Sequence, residues 1–274
     1  MRHPGYFDNN ATTPLDGRVR EAMLEWMGTR FGNPSSTHRF GRAAAEAVEQ
    51  ARERVASLLG ALPREIVFLA SGTEAINTVV ASCCPVDGVS PHLVMSSFEH
   101  PAALEAAARL ERTGGRVTRV APDRNGTVAA AEFARALTPE TRLACLMLAN
   151  NERGTVQPVA GHNFHGPLGA AALWVGSGRE LEPLLVGGGQ ERHRRSGTQD
   201  VPAIVGLGVA CELAARELDE RHAHLLALRR RLERGLAEVG GAVVHCAGAE
   251  RLPNTSHVAF AGIDATALLI RLDL

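Results

Sequence analysis

A chain of 274 residues, 45% apolar and 22% charged, is long enough for one large domain and a smaller one around buried cores. Its formal charge of -1 exerts no global pull toward nucleic acid or membrane, and 4% aromatic content leaves no base-stacking platform. No apolar run approaches a membrane span and the N-terminus carries no apolar signal segment, so the expected location is the cytoplasm.

The chain alternates helical and extended patterns. Tyr6 to Pro14 is a short extended piece, and Val19, Met23, Trp26 and Met27 then follow helical spacing. After the loop Gly32-Asn33-Pro34-Ser35-Ser36, the positions Val48, Ala51, Val55, Leu58 and Leu59 mark a long amphipathic helix closing at Gly60. Ile66 to Leu69 reads as a strand that breaks into Ser71-Gly72-Thr73-Glu74-Ala75 at the start of a helix. Small residues there suit a phosphate seat, and equally an ordinary helix cap at Ser71 or Thr73. Leu93 to Met95 and Arg116 to Ala121 are strands, with His100-Pro101 opening a helix between them. Ala129 to Leu137 is helical, Leu143 to Ala149 reads as a buried strand, and Ala170 to Val175 as another.

Gly187 to Thr198 is a glycine-rich loop dense in donors, either an anion-binding loop or a solvated arginine surface. Two helices are expected over 201–218 and 222–239, with Arg229-Arg230-Arg231 on an exposed face. Strands over 242–245 and 257–260 follow, then a helix from about Asp264. The pattern stops at Leu274 without a capping signal, and truncation is the expectation. Strands alternating with helices predict an α/β fold: a mostly parallel sheet flanked by helices, with a smaller α+β C-terminal domain. The expected division is 14–205 for the large domain, with 1–13 and 206–274 forming the small one. Ligands in such sheets gather at strand carboxyl ends, where Gly72-Thr73, His100 and Asn150-Asn151 fall.

One count restricts the chemistry more than any motif: all 29 residues counted as Lys or Arg are arginine. A Schiff base needs a deprotonatable primary amine, which arginine does not provide. Of the five cysteines, Cys145 and Cys211 sit in apolar patterns and are expected core thiols, while Cys83-Cys84 lacks further ligands at zinc spacing. No metal site and no disulfide framework are expected.

Phe7 to Pro14, Gly32 to Ser36, Ser71 to Ala75, Asn150-Asn151-Glu152, Gln157-Pro158, Gly187 to Glu191 and Arg195 to Thr198 together resemble the cysteine desulfurases. These are pyridoxal-phosphate enzymes of the class V aminotransferase group. The resemblance implies a fold type I large domain, sulfur transfer from L-cysteine giving L-alanine, a link to iron–sulfur cluster assembly, and a homodimer or a heterodimer with a paralogue. It implies that Gly72 and Thr73 hold the cofactor phosphate and that Asn151 bonds near the ring hydroxyl. By the same resemblance His162 sits beside the attachment point and Thr198 reaches the phosphate of a partner subunit's cofactor. His100 would stack on the ring, although by position it reads first as a helix cap.

The departures oppose that chemistry. Asn163 stands where the family carries its Schiff-base lysine. Val159 and Ala160 run almost directly from Gln157-Pro158 into the Gly161-His162 loop, where the family has a helix and a strand bearing the aspartate that pairs with the pyridinium nitrogen. The expectation is an internal deletion near 158–162. The family's persulfide cysteine has no counterpart among the five. The expected protein is therefore inactive: a pseudoenzyme binding pyridoxal phosphate non-covalently, or a dimer partner modulating an active desulfurase. The alternatives are a degenerate product that does not fold stably, and an active desulfurase if the sequence is incomplete.

Overall fold

The computed structural model describes residues 5–83, 90–157 and 167–273. Helix α1 (Gly17–Met27) starts at Asp16, whose carboxylate accepts from the Arg18 amide, and buries Val19, Met23 and Trp26 at helical spacing. Helix α2 (Arg39–Leu59) buries Ala44, Val48, Ala51 and Val55 along one stripe. It stops at Gly60, whose φ of 63° places it in the left-handed region that glycine occupies without strain.

Strand β1 (Ile66–Leu69) leads into α3 (Gly72–Ala81), and β2 (His92–Ser96) into α4 (Pro101–Arg112). Strand β3 (Arg116–Val120), helix α5 (Ala130–Ala136), strand β4 (Thr141–Cys145) and strand β5 (Ala171–Trp174) follow. Helix α6 (Val201–Ala237), the antiparallel pair β6 (Ala242–Val244) and β7 (Val258–Phe260), and helix α7 (Ala265–Asp273) complete the order.

The parallel sheet flanked by helices is present. β2 lies at its centre, parallel to β3 on one side and β4 on the other, and is buried along its whole length. Burial on both faces explains why His92 to Ser96 shows no polar alternation. Separately, β1 pairs antiparallel with β5 in the register Ile66↔Trp174 to Leu69↔Ala171. Among the described residues no hydrogen bond joins this pair to the three-stranded sheet.

Two of the four buried clusters among the described residues hold most of these layers. α2, β1 and the first half of α6 close around Val48, Ala51, Val55, Ile66, Phe68, Ile204 and Leu207; α3 and α4 cover β2 through Val80, Leu93, Met95, Ala103 and Ala107. α2 and α6 approach closely at Gly208, where a Cβ would come within 2.7 Å of the Ala51 Cα.

Three expectations are corrected. The two helices expected over 201–218 and 222–239 are one continuous helix of 37 residues. The stretch from Leu218 to His222 contains neither Gly nor Pro, and a Glu217–Arg221 pair at 2.5 Å spans the expected break one turn apart. β4 begins at Thr141 and ends at Cys145 rather than running from 143 to 149, and it is half-buried. The Met147 amide donates to the Glu99 carboxylate at 2.7 Å, which takes the chain out of strand geometry. The arginine run is not wholly exposed: Arg229 donates to the carbonyls of Arg251 and Leu252 and its side chain is 12% exposed, while Arg230 and Arg231 face solvent.

Candidate cofactor site

The turn from β1 into α3 is built by reciprocal capping. Ser71 is the N-cap and its hydroxyl accepts from the Glu74 amide at 3.1 Å, while the Glu74 carboxylate accepts from the Ala70 amide at 2.9 Å. Among the described residues the amides of Gly72 and Thr73 have no partner, and both residues are exposed. The ordinary cap is therefore present, and two N–H groups at the positive end of the helix remain able to meet an anion. A Cβ on Gly72 would meet nothing within 4 Å, so the local fold does not itself require glycine there.

The glycine-rich loop is fastened to this turn. Arg195 Nε donates to Glu74 Oε1 at 2.8 Å, with both side chains largely covered. Burial pushes the Glu74 carboxyl up; the bonds from Arg195 and Ala70 more than offset it, so its pKa lies below the usual range. Arg195 is thus neutralised locally, while Thr198 is exposed at the end of the same loop.

Glu191, Arg192 and His193 have φ of 48°, 57° and 65°, a run of three non-glycine residues in the left-handed region, where each costs about 1–2 kcal/mol. Glu191 holds them. Its buried carboxylate accepts from Arg52 Nη1 at 2.7 Å and Nη2 at 2.9 Å, from the Phe68 amide at 2.9 Å and from Gln199 Nε2 at 2.7 Å. Arg52 also donates to the Ile66 carbonyl and lies over the Phe68 ring. The loop is therefore a strained segment pinned to β1 by a buried ion pair, with Arg192 and His193 left on the surface.

On the neighbouring sheet, His100 is the N-cap of α4: its Nδ1 accepts from the Ala102 amide at 3.1 Å, with Pro101 in the first turn. The capping reading of His100 is thus what the geometry displays. Glu99, buried beside it, accepts from the Ser96 hydroxyl at 2.6 Å and the Met147 amide. Asn150 ties this loop to the turn after β4, donating to the Phe98 carbonyl at 3.1 Å while its Oδ1 accepts from the amides of Glu152 and Arg153. Asn151 is anchored from the N-terminal segment, its carbonyl accepting from Asn10 Nδ2 at 2.7 Å. The same amide of Asn10 donates to Thr255, near the β6–β7 pair.

The segments that carry the expected site residues are therefore tied in two pairs: the Gly72-Thr73 turn to the Thr198 loop through Glu74 and Arg195, and the His100 loop to the Asn151 turn through Phe98 and Asn150. α3 and α4, which carry one member of each pair, pack side by side. His162 and Asn163 lie outside the described residues. The positioning residues Asn10, Glu99, Asn150 and Glu191 had no assigned role in the sequence. Asn10, Asn150 and Glu191 stood inside the quoted motifs, and Asn150 also fell at an expected strand end. The groove between α1, α2 and α6, lined by Trp26, Arg30, Glu46, Arg54 and Val205, includes none of the expected site residues.

Cys211 is fully buried, as expected; Cys145 is only half-buried at the end of β4. Burial pushes both thiols up to about 12, so neither is thiolate near neutrality. Cys84 lies outside the described residues. Among the described residues no cluster of three or more His, Cys, Asp or Glu could hold a metal ion, and no helix is long and apolar enough to cross a membrane.

A sheet flanked by helices, with a helix start at a strand end beside a pinned glycine-rich loop, is an arrangement able to meet an anionic group. The chain belongs to the aminotransferase class-V family, whose model matches residues 5–161 and 159–273. The chain is 40% identical over 307 residues to a cysteine desulfurase of Gluconacetobacter diazotrophicus, covering 97% of this chain and 77% of that protein. It is 37% identical to the cysteine desulfurase IscS of Methanosarcina thermophila, with 98% and 76% covered. Among solved structures it superposes on a NifS-like protein at TM-score 0.94 and 35% identity, over 100% of this chain and 86% of that one. A NifS-like protein from Rickettsia africae superposes at 0.89 and 28%, over 99% and 85%. Two features of these matches bear on the site: the family model meets itself at 159–161, and the Gluconacetobacter match is longer than the 274-residue chain.

Enzymes of this family depend on pyridoxal phosphate. The residues present fit its phosphate end, through the unpartnered amides of Gly72 and Thr73 at the start of α3. They do not fit its reactive end, because the chain holds no lysine to bond the aldehyde carbon.

Proposed function

We propose that this chain is a catalytically silent cysteine desulfurase homologue that holds pyridoxal phosphate non-covalently by its phosphate. The observation that carries this reading is the absence of lysine from the whole sequence. It does not depend on the geometry of any loop, and no arginine can replace the missing amine. The Gly72-Thr73 helix start supports retention of the phosphate, with Thr198 offered to a partner subunit's cofactor. His100, Asn151 and His162 are proposed to line the ring.

The large domain is assigned to 14–205 and the small one to 1–13 and 206–274, with a stretch missing near 158–162. The family match in two pieces, and its length beyond that of this chain, support the missing stretch. Pairing with an active paralogue is the second reading. It is favoured by the exposure of large apolar side chains such as Phe7 at 91% and Val186 at 83%, which suits a subunit surface.

The test is to purify the chain with pyridoxal phosphate, treat it with borohydride and assay sulfide release from L-cysteine. The expected result is cofactor retained through gel filtration, lost in Thr73→Ala, with no reduced adduct and no sulfide. A stable adduct on any side chain, or sustained sulfide release by the pure chain, refutes the proposal.

A further inference from the structure

We propose that the break between β4 and β5 is a docking slot for a β-segment of another chain. The segment is the stretch of a complete class V relative that has no counterpart here between residues 157 and 167. The inference rests on the reading that this stretch is missing.

β4 is hydrogen-bonded to β2 along one edge and β5 to β1 along one edge; among the described residues neither has a partner on its other edge. Such an edge presents a row of N–H and C=O groups that templates a further strand. The side chains beside these edges are correspondingly uncovered. Leu143 and Cys145 are half-buried although central β2 is buried throughout, and Trp174 on β5 is 57% exposed.

Among the described residues no hydrogen bond joins the two sheets. Superposition on the NifS-like structure at TM-score 0.94 takes in the entire chain, so both hold the places they have in a longer protein, part of which has no counterpart here. The missing part falls between them in chain order, because the family match changes from one piece to the other at 159–161. Its size is also right. The match runs over 307 residues for a chain of 274, an excess far above a connection of about 4–6 residues and comparable to a strand–crossover–strand unit of about 30. A strand seated between β4 and β5 is covered by neighbours on both edges and by helices on its faces. The occupant is therefore a continuous aliphatic and β-branched run rather than an alternating one.

The experiment mixes the purified full chain with a synthetic peptide. The peptide copies the residues of the Gluconacetobacter desulfurase that align between residues 157 and 167 of this chain; a scrambled peptide of the same composition is the control. The expected result is a one-to-one complex by native mass spectrometry. Exchange of the amides of 141–145 and 171–174 should slow by about tenfold or more on binding, as expected for edge amides that become paired. If the chain alone is insoluble, co-expression with the segment is read instead, and a soluble complex that the scrambled control does not give supports the slot.

A folded chain that ignores the peptide overturns the slot, as do protection confined to other strands, closure of both edges by a second copy of this chain, or no rescue on co-expression. An intact mass well above 29.1 kDa for the protein isolated from its source organism would sink the underlying reading instead, so the two failures are distinguishable.

Discussion

Replacing Glu191 by alanine tests how the glycine-rich loop is held. The substitution removes four acceptor contacts at once: two from Arg52, one from the Phe68 amide and one from Gln199. Arg52, with a side chain 3% exposed, keeps its charge, because a guanidinium is not deprotonated in proteins. The Ile66 carbonyl, Glu49 and the Phe68 ring remain near it. Breaking a buried pair from one side costs about 3–5 kcal/mol, whereas the pair as a whole is worth far less against an apolar replacement. The expected loss is therefore about 3–5 kcal/mol in urea unfolding, a large share of the 5–15 kcal/mol of a typical domain. The release of three left-handed residues offsets part of it. The double variant Arg52→Met, Glu191→Leu should recover most of the loss. A loss below about 1 kcal/mol in the single variant, or a double variant worse than the single, would refute the view that the desolvated charge dominates.

Two glycines of α6 should respond oppositely to alanine in thermal denaturation. Helix propensity favours alanine by about 1 kcal/mol at both. Gly235 is open, so Gly235→Ala should raise Tm, whereas Gly208→Ala presses on the Ala51 backbone and should lose about 1–3 kcal/mol, lowering it. Asn150→Ala should cost about 1–3 kcal/mol and speed hydrogen exchange in 150–154, because the amides of Glu152 and Arg153 lose their acceptor. His92 is bonded to Thr118, Thr138 and Thr141, and burial together with the charge of Arg116, against that of Glu140, holds its pKa below the ordinary value. The unfolded chain then takes up the proton first as pH falls. Stability should decline as pH drops through about 6.5 and level off below the folded pKa. A His92→Gln variant should show a flatter dependence in urea titrations between pH 7 and pH 5; an unchanged slope would count against the assignment.

Much of the fold was legible in the residues because it is local. The stripe Val48, Ala51, Val55 and the stop at Gly60 gave α2, and the unbroken apolar runs gave β1 and β2. His100 was read first as a cap, and it is one. Local spacing failed where distant groups compete for the backbone. β4 ends early because Glu99, 48 positions away, captures the Met147 amide. α6 is a local case instead: Leu218 to His222 looked like a boundary but holds neither Gly nor Pro to end a helix. Arg229 was assigned to a surface, but carbonyls more than twenty positions away bind it. Glu191 could be seen as part of a motif, but not as the partner of Arg52, 139 residues away.

What the sequence by itself determined is the family and the limit on its chemistry. Ordered motifs identify the class V group, and in a sequence without lysine no side chain can form a Schiff base in any conformation. What only the tertiary structure decided is which charges are buried against which partners, and that among the described residues β4 and β5 stand in separate sheets, each paired along one edge. The division has a physical reason. The reactivity of a side-chain type belongs to the residue, whereas pairing between β1 and β5, or between Arg52 and Glu191, depends on segments a hundred or more positions apart meeting in space.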